Sequence, residues 1–113
     1  MGRGLGKVQR MCLDVLTREG KMLDSIEITG RALDKYEIND SEHVSFRRAL
    51  RKLADRGLVV DMGRSFHDRR CRWALPDVAK RYFERVELVF GKQMAAKEIA
   101  RSSFRADRFP DDA

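Results

Sequence analysis

The sequence predicts a mainly α-helical fold with a small β-hairpin, and three observations lead to this fold class. Apolar residues recur at the 3.6-residue spacing of an amphipathic helix in three stretches, near residues 8–16, 46–53 and 79–94. An apolar run at residues 58–62 and an alternating run at residues 71–75 indicate two strands joined by a polar turn. A chain of 113 residues is long enough to enclose one hydrophobic core.

The elements that precede the hairpin are predicted to form its helical support. A first helix, which ends at Gly20, follows from the shared apolar face of Val8, Met11, Cys12, Val15 and Leu16. The alternation over residues 26–28 indicates a short strand, and Thr29 is the expected cap of a short second helix. Tyr36 and Ile38 are expected to pack inward from the loop that follows.

A third helix over Ser41–Arg56 is predicted to be amphipathic and basic. Asn39 and Glu42 have the spacing of a capping box at its start. Its core stripe consists of Phe46, Ala49, Leu50, Leu53 and Gly57. Arg47 lies at the edge of the opposite face, which carries Val44, Ser45, Arg48, Arg51, Lys52 and Asp55. Arginine grips guanine edges and phosphates in a bidentate manner, so this face is a candidate DNA-reading surface, although a solvated charged face is an equally common outcome.

The predicted hairpin adds a second basic element directly after this helix. A strand over Leu58–Met62 leads into a turn that begins at Gly63 and is too long and polar for a two-residue loop. The return strand alternates, because Cys71, Trp73 and Leu75 would share one face. Trp73 is therefore expected to anchor the hairpin to the core, while arginines of the turn project beyond it.

The C-terminal part is predicted to be helical and then irregular. Pro76 is a favourable first-turn residue for a helix, and Gly91 is expected to separate this helix from a shorter one over Lys92–Arg101. The surplus of apolar residues could cover the core or pair with a second copy of the chain. The expected organisation is thus a first unit over residues 1–75, a helical extension over residues 76–101 and a flexible tail over residues 102–113.

The basic charge is concentrated in the predicted third helix and hairpin. The chain has a formal net charge of +6. Residues 41–57 carry a net charge of +3, residues 58–75 carry +2, and residues 11–40 carry −3. Charge concentrated in this way is typical of nucleic-acid binding. The candidate DNA-contacting residues are Ser45, Arg47, Arg48, Arg51, Lys52, Arg64, Arg69 and Arg70.

The run over residues 45–59, SFRRALRKLADRGLV, resembles the recognition helix and first wing strand of bacterial winged helix-turn-helix regulators of the MarR and ArsR type. The resemblance covers roughly residues 7–75. It implies a winged helix-turn-helix fold, with a three-helix core, a wing and a C-terminal helical extension. One difference is that residues 34–40 form a longer link than the tight turn of a strict helix-turn-helix.

The resemblance and the charge pattern together predict a sequence-specific double-stranded DNA-binding protein, a transcriptional repressor of bacterial, phage or plasmid origin that acts as a homodimer. The alternative is a winged-helix protein-interaction module within a replication, partition or other nucleoprotein assembly. A cytoplasmic location without membrane association is expected, because the sequence has neither a membrane-length apolar run nor a signal-peptide pattern.

Catalytic and metal-binding sites are not expected. His67 and Cys71 lack a third nearby ligand and a CxxC motif, so neither a metal nor another cofactor is predicted. His43 is expected to be a packed or capping residue. Cys12 and Cys71 are expected to be buried free thiols. The sequence has no recognisable nucleophile–base arrangement, so an enzyme is not predicted.

Overall fold

A computed structural model describes residues 5–64 and 69–105, in which five helices accompany a small three-stranded antiparallel sheet. The elements follow one another as α1 (Lys7–Glu19), β1 (Leu23–Asp24), α2 (Ser25–Leu33), α3 (Asp40–Asp55), β2 (Val60–Arg64), β3 (Cys71–Ala74), α4 (Pro76–Phe90) and α5 (Lys92–Arg101). The mainly helical class predicted from the sequence is therefore confirmed. Helix α1 ends as predicted, because Gly20 adopts the left-handed conformation that closes a helix.

The prediction for residues 26–28 is wrong, because these residues belong to α2 rather than to a strand. Asp24 begins the helix through a capping box with Glu27. The Asp24 carboxylate accepts from the Glu27 amide at 2.8 Å, and the Glu27 carboxylate accepts from the Asp24 amide at 3.0 Å. Two backbone donors are satisfied in this way, which outweighs a three-residue alternation. The strand that joins the hairpin is instead β1, directly before this cap.

Thr29 is not the cap of α2 and lies fully buried inside the helix. Its hydroxyl donates to the backbone carbonyl of Ser25 at 2.7 Å, one turn earlier. The following loop also differs from the prediction, because Tyr36 is fully exposed whereas Ile38 is half-buried. The link between α2 and α3 spans residues 34–39, so it is long, as the sequence predicts.

Helix α3 begins with the predicted capping box. The Asn39 side chain accepts from the Glu42 amide at 2.8 Å, and the Glu42 carboxylate accepts in return from the Asn39 amide at 3.1 Å. Lys35 donates to the same carboxylate at 2.6 Å, and this hydrogen bond and that from Asn39 hold the pKa of Glu42 below its ordinary value. The start of α3 is thereby tied to the preceding loop.

The sheet has the strand order β1–β3–β2, which places β3 in the middle. Trp73 lies opposite Leu23 of β1 on one side and opposite Asp61 of β2 on the other. Strand β2 begins two residues later than predicted, at Val60, because Gly57 is left-handed and the Leu58 amide still bonds to α3 at 2.9 Å. The return strand ends one residue early, since Leu75 precedes α4 as its N-cap.

The sheet separates two apolar clusters because successive strand residues face opposite sides. Val59 and Trp73 face the first cluster, which is completed mainly by α1, α2 and α3. Val60 and Ala74 face the second cluster, which is completed by Ala79, Phe83 and Phe104. Trp73 is 4% exposed, so its predicted anchoring role is confirmed. The hairpin strands are consequently held from both faces.

The predicted flexible tail does not begin at residue 102. Ser102 and Phe104 are buried, and Phe104 packs on the Phe83 ring at a centroid distance of 5.3 Å. The Ser103 amide donates to the Asp61 carbonyl at 2.8 Å, and the Ser103 hydroxyl accepts from the Asp61 amide at 2.8 Å. These bonds satisfy the backbone amide and carbonyl of Asp61 on the edge of β2 that faces away from β3. Residues 106–113 lie outside the described ranges.

The two cysteines differ in their surroundings, and both are free thiols. Cys12 is fully buried as predicted, and burial raises the pKa of its thiol to about 12. Cys71 is only half-buried, so the prediction of burial is wrong for this residue. It lies at the start of β3, beside a cleft described below.

Phe104→Ala should destabilise the domain by about 3–5 kcal/mol, the usual cost of truncating a buried phenylalanine. Tyr36→Ala is the matched control, because Tyr36 is a fully exposed aromatic residue and its truncation should cost less than about 0.5 kcal/mol. Urea denaturation of both variants measures the difference. Equal stabilities for the two variants would show that residues 102–104 do not pack on the second cluster.

Candidate nucleic-acid interface

Helix α3 presents its predicted polar face to solvent. Phe46, Ala49, Leu50 and Leu53 are buried, as the sequence predicts. The exposed residues that we call the α3 basic face are Ser45, Arg47, Arg48, Arg51 and Lys52. Helical periodicity holds the cations clear of the core, where burying an unpaired charge would be costly.

The α3 basic face divides into two parts. Arg47 and Arg51 lie one helical turn apart and face the sheet across a cleft. Ser45, Arg48 and Lys52 share the part of the helix that turns away from this cleft. The helix therefore offers a convex surface of its own and also one wall of a concave site.

The hairpin supplies the opposite wall of that concave site. Arg64 is the last residue of β2, while Arg69 and Arg70 directly precede β3. Arg69 has a φ of 58°, a left-handed conformation that is uncommon for a residue other than glycine. The hairpin tip predicted over residues 65–68, which includes His67, lies outside the described residues.

We call this concave site the arginine cleft, and its volume is about 240 Å³. Its floor and rim include Ser25, Ile26, His43, Asp61, Cys71 and Trp73. Its five arginines are Arg47, Arg51, Arg64, Arg69 and Arg70. The structure thus brings together five of the predicted site residues, from two segments that are 13 residues or more apart in sequence.

Most of these cations have no ionic partner in the part of the chain that the structure describes. Several basic residues on other surfaces form ion pairs, such as Lys35 with Glu42 at 2.6 Å and Arg101 with Glu98 at 2.7 Å. No described carboxylate lies within ion-pair distance of any of six candidate residues, namely Arg47, Arg48, Arg51, Lys52, Arg64 and Arg69. A phosphate could therefore bind here without first displacing an internal carboxylate.

Arg70 is the exception among the eight candidates. Its guanidinium lies 3.2 Å from the carboxylate of Asp24, whose side chain is 5% exposed. The same carboxylate caps α2, so Arg70 is fixed to the start of that helix. About half of the Arg70 side chain remains exposed, and the residue also lines the arginine cleft.

His43 is a half-buried residue of the cleft wall. Its Nε2 lies 2.7 Å from the Ser25 hydroxyl, so α2 and α3 are joined by a hydrogen bond at this point. Burial lowers the pKa of His43 below its ordinary value of 6.5, and the positive charge of Arg47 lowers it further. The neutral imidazole is accordingly the favoured form beside these cations.

Sequence reasoning did not place Asp24, Ser25 and Ile26 at this site. They lie far from α3 and from the hairpin in sequence, and the misassigned strand over residues 26–28 hid the start of α2. The capping pair of Asp24 with Glu27 was the available sequence signal.

Comparisons with protein-family models, with curated proteins and with solved structures returned no match for this chain. Within the described ranges, no group of three His, Cys, Asp or Glu residues is arranged to hold a metal ion. None of the helices in that part of the chain is both long enough and apolar enough to cross a membrane.

The lowered pKa of His43 predicts a pH dependence of stability. The unfolded chain binds a proton near pH 6.5, whereas the folded chain does so only at lower pH. The free energy of unfolding should therefore fall as the pH drops from 6.5 towards the folded-state pKa. His43→Gln retains a partner for Ser25 and should reduce this fall in denaturation measured across the interval.

The control for this prediction is Val44→Gln, which introduces the same side chain at an exposed position of α3 and should keep the parent's pH dependence. If His43→Gln and the parent lost stability equally over the interval, the imidazole would not be held neutral by its surroundings.

Proposed function

We propose that this protein binds double-stranded DNA sequence-specifically and acts as a transcriptional regulator, a repressor of bacterial, phage or plasmid origin. One observation carries the proposal: six exposed cations, none of them ion-paired with a described carboxylate, lie on α3 and at the two hairpin ends that face it. Duplex DNA offers a matching array of phosphates, and neutralising them releases counterions.

The proposed fold is a winged helix-turn-helix with a C-terminal helical extension. The order α1, β1, α2, α3, β2, β3 supports it, as does the pairing of β1 with β3. In this interpretation α3 is the recognition helix and the β2–β3 hairpin is the wing. The six-residue link over residues 34–39 makes the helix-turn-helix a loose one.

The geometry supports different roles for different residues of α3. The convex part of the helix is the part that fits a major groove, so Arg48 and Ser45 are the proposed base readers. Arg51 and Lys52 flank them and hold phosphates. Arg64, Arg69 and Arg70 hold the neighbouring backbone from the wing. Phosphate contacts fix the register, and base-edge contacts then select the sequence.

A homodimer is the second part of the proposal. Leu88 is 86% exposed, Val89 62% and Phe90 68%, and all three lie at the end of α4. Met94 of α5, four residues after Phe90, is 43% exposed. Large apolar residues clustered on a surface mark interaction sites more often than isolated ones do. A two-fold dimer through this corner would place two α3 helices on a pseudo-palindromic site, with half-sites about 34–36 Å apart.

The same corner favours one alternative function. If the apolar residues of α4 and α5 bind a different protein, the chain is a winged-helix interaction module within a replication, partition or other nucleoprotein assembly. Tight binding to an acidic protein without duplex affinity would favour this alternative. Salt-dependent duplex binding with a recoverable motif favours the regulator, and selection of bound duplexes from a random pool tests for that motif.

Arg48→Ala should weaken binding to the selected duplex by about 1–3 kcal/mol and relax the preference at one base pair. Lys52→Ala should instead weaken binding to all duplexes alike and reduce the slope of log affinity against log salt by about one. Fluorescence titrations at several salt concentrations measure both effects.

Arg85→Ala removes one exposed arginine from α4 and is the matched control for net charge. Its affinity and base preference should equal those of the parent. An Arg48→Ala variant with unchanged affinity and unchanged base preference would contradict the assignment of α3 as the reading helix.

Leu88→Glu should convert a homodimer to a monomer, because it places a charge in the proposed apolar interface. Leu88 is exposed, so the substitution should leave the fold intact. Light scattering measures the mass of the parent, of Leu88→Glu and of Arg85→Glu, an exposed control on the same helix that should remain dimeric. A monomer mass for the parent at tens of micromolar, both free and on DNA, would refute the dimer.

A further inference from the structure

We propose that the arginine cleft is a phosphate-binding pocket in which α3 and the hairpin grip one phosphate group between them. The inference deepens the proposed function and rests on it for one source of the ligand, a backbone phosphate of the bound duplex. The other source with the same chemistry is the phosphate of a small phosphorylated molecule. The pocket is separate from the base-reading part of α3, because Arg48 and Ser45 lie outside the cleft.

The positive charge of the cleft favours the binding of an anion. Five arginines line it, and Asp61 is the only carboxylate among the described lining residues. The Asp61 carboxylate is already engaged, since it accepts from the Gly63 amide at 2.9 Å. Like charges held close together repel one another, and an anion between them relieves that repulsion. The pKa of His43 is lowered mainly by burial; the charges of Arg47 and Arg70 lower it further, while those of Asp24 and Asp40 raise it.

The shape of the cleft suits a phosphate group with its water. The cleft volume of about 240 Å³ is large enough for a phosphate group and bound water. Guanidinium groups match phosphate oxygens bidentately, and walls on two sides allow more than one arginine to contact the same group. A flat surface with the same residues could not surround its ligand in this way.

The floor of the cleft includes a residue that is packed in the interior of the protein. Trp73 lines it while remaining 4% exposed, and its strand is paired on both sides. The Trp73 indole nitrogen is buried and has no hydrogen-bond partner among the described residues. A buried donor without an acceptor is uncommon in folded proteins.

Asp24 is a positioning residue for the pocket. Its buried carboxylate holds the Arg70 guanidinium at 3.2 Å and also caps α2. Arg70 is thereby set in the wall before a ligand arrives, which reduces the entropy lost on binding. The other four arginines of the cleft form no ion pair with a described carboxylate, so no such pair has to break when an anion binds; they are Arg47, Arg51, Arg64 and Arg69.

The first arm of the test titrates the free protein with inorganic phosphate at millimolar concentration and follows backbone amide shifts by NMR. Arg51→Gln should weaken phosphate binding roughly tenfold, the effect of losing one charge-assisted hydrogen bond. Arg56→Gln is the matched control: Arg56 is exposed at the end of α3, outside the cleft, and its variant should bind phosphate as the parent does. Equal weakening by both variants, or no phosphate binding by the parent, would overturn the proposal.

The second arm separates the two sources of phosphate. Duplexes carrying one neutral methylphosphonate at successive positions are titrated against the parent and Arg51→Gln. If a neutral linkage at one position weakens DNA binding by the parent but not by Arg51→Gln, the phosphate at that position binds in the cleft. Phosphate binding that depends on Arg51 without such a position identifies a small phosphorylated ligand.

The outcomes for the cleft and for DNA binding are distinguishable. Arg51-dependent phosphate binding by a protein without duplex affinity would support the pocket and refute the proposed function. Duplex binding by a protein that binds no inorganic phosphate would refute the pocket and leave the proposed function standing.

Discussion

The buried carboxylate of Asp24 is the interaction on which the rest of the structure depends. Asp24 ends β1, caps α2 and pairs with Arg70, which directly precedes β3. One side chain therefore joins the helical core, the sheet and the arginine cleft. A buried carboxylate is tolerated only with hydrogen-bonded partners, and here those partners are the Glu27 amide and the Arg70 guanidinium. Removing one partner would leave a buried charge uncompensated.

Ion pairs are distributed unevenly over the surface of the molecule. Acidic residues of the helical support engage Arg31 and Lys35, so these cations contribute little to the outward field. Six cations of α3 and the hairpin, in contrast, have no described carboxylate within ion-pair distance; they are Arg47, Arg48, Arg51, Lys52, Arg64 and Arg69. The pairing pattern, more than the net charge of +6, makes one face suited to a polyanion.

The segment after α5 links the C-terminal helices to the hairpin. Ser103 exchanges two hydrogen bonds with the backbone of Asp61, and the left-handed Gly63 leaves room for the carbonyl of Arg101, which would lie 3.1 Å from a Cβ at that position. Strand β2 is thus held by β3 on one edge and by this segment on the other.

The sequence by itself determined the helical class, the capping box of α3, the end of α1 at Gly20 and the outward face of α3. These features depend on residues within a turn or two of one another, so periodicity and cap chemistry specify them. Only the tertiary structure decided that residues 23–24 form the third strand, that Phe104 belongs to the second cluster and that five arginines converge on one cleft. Those features depend on contacts between residues far apart in the chain, where burial and the pairing of a few strong partners outweigh local preference.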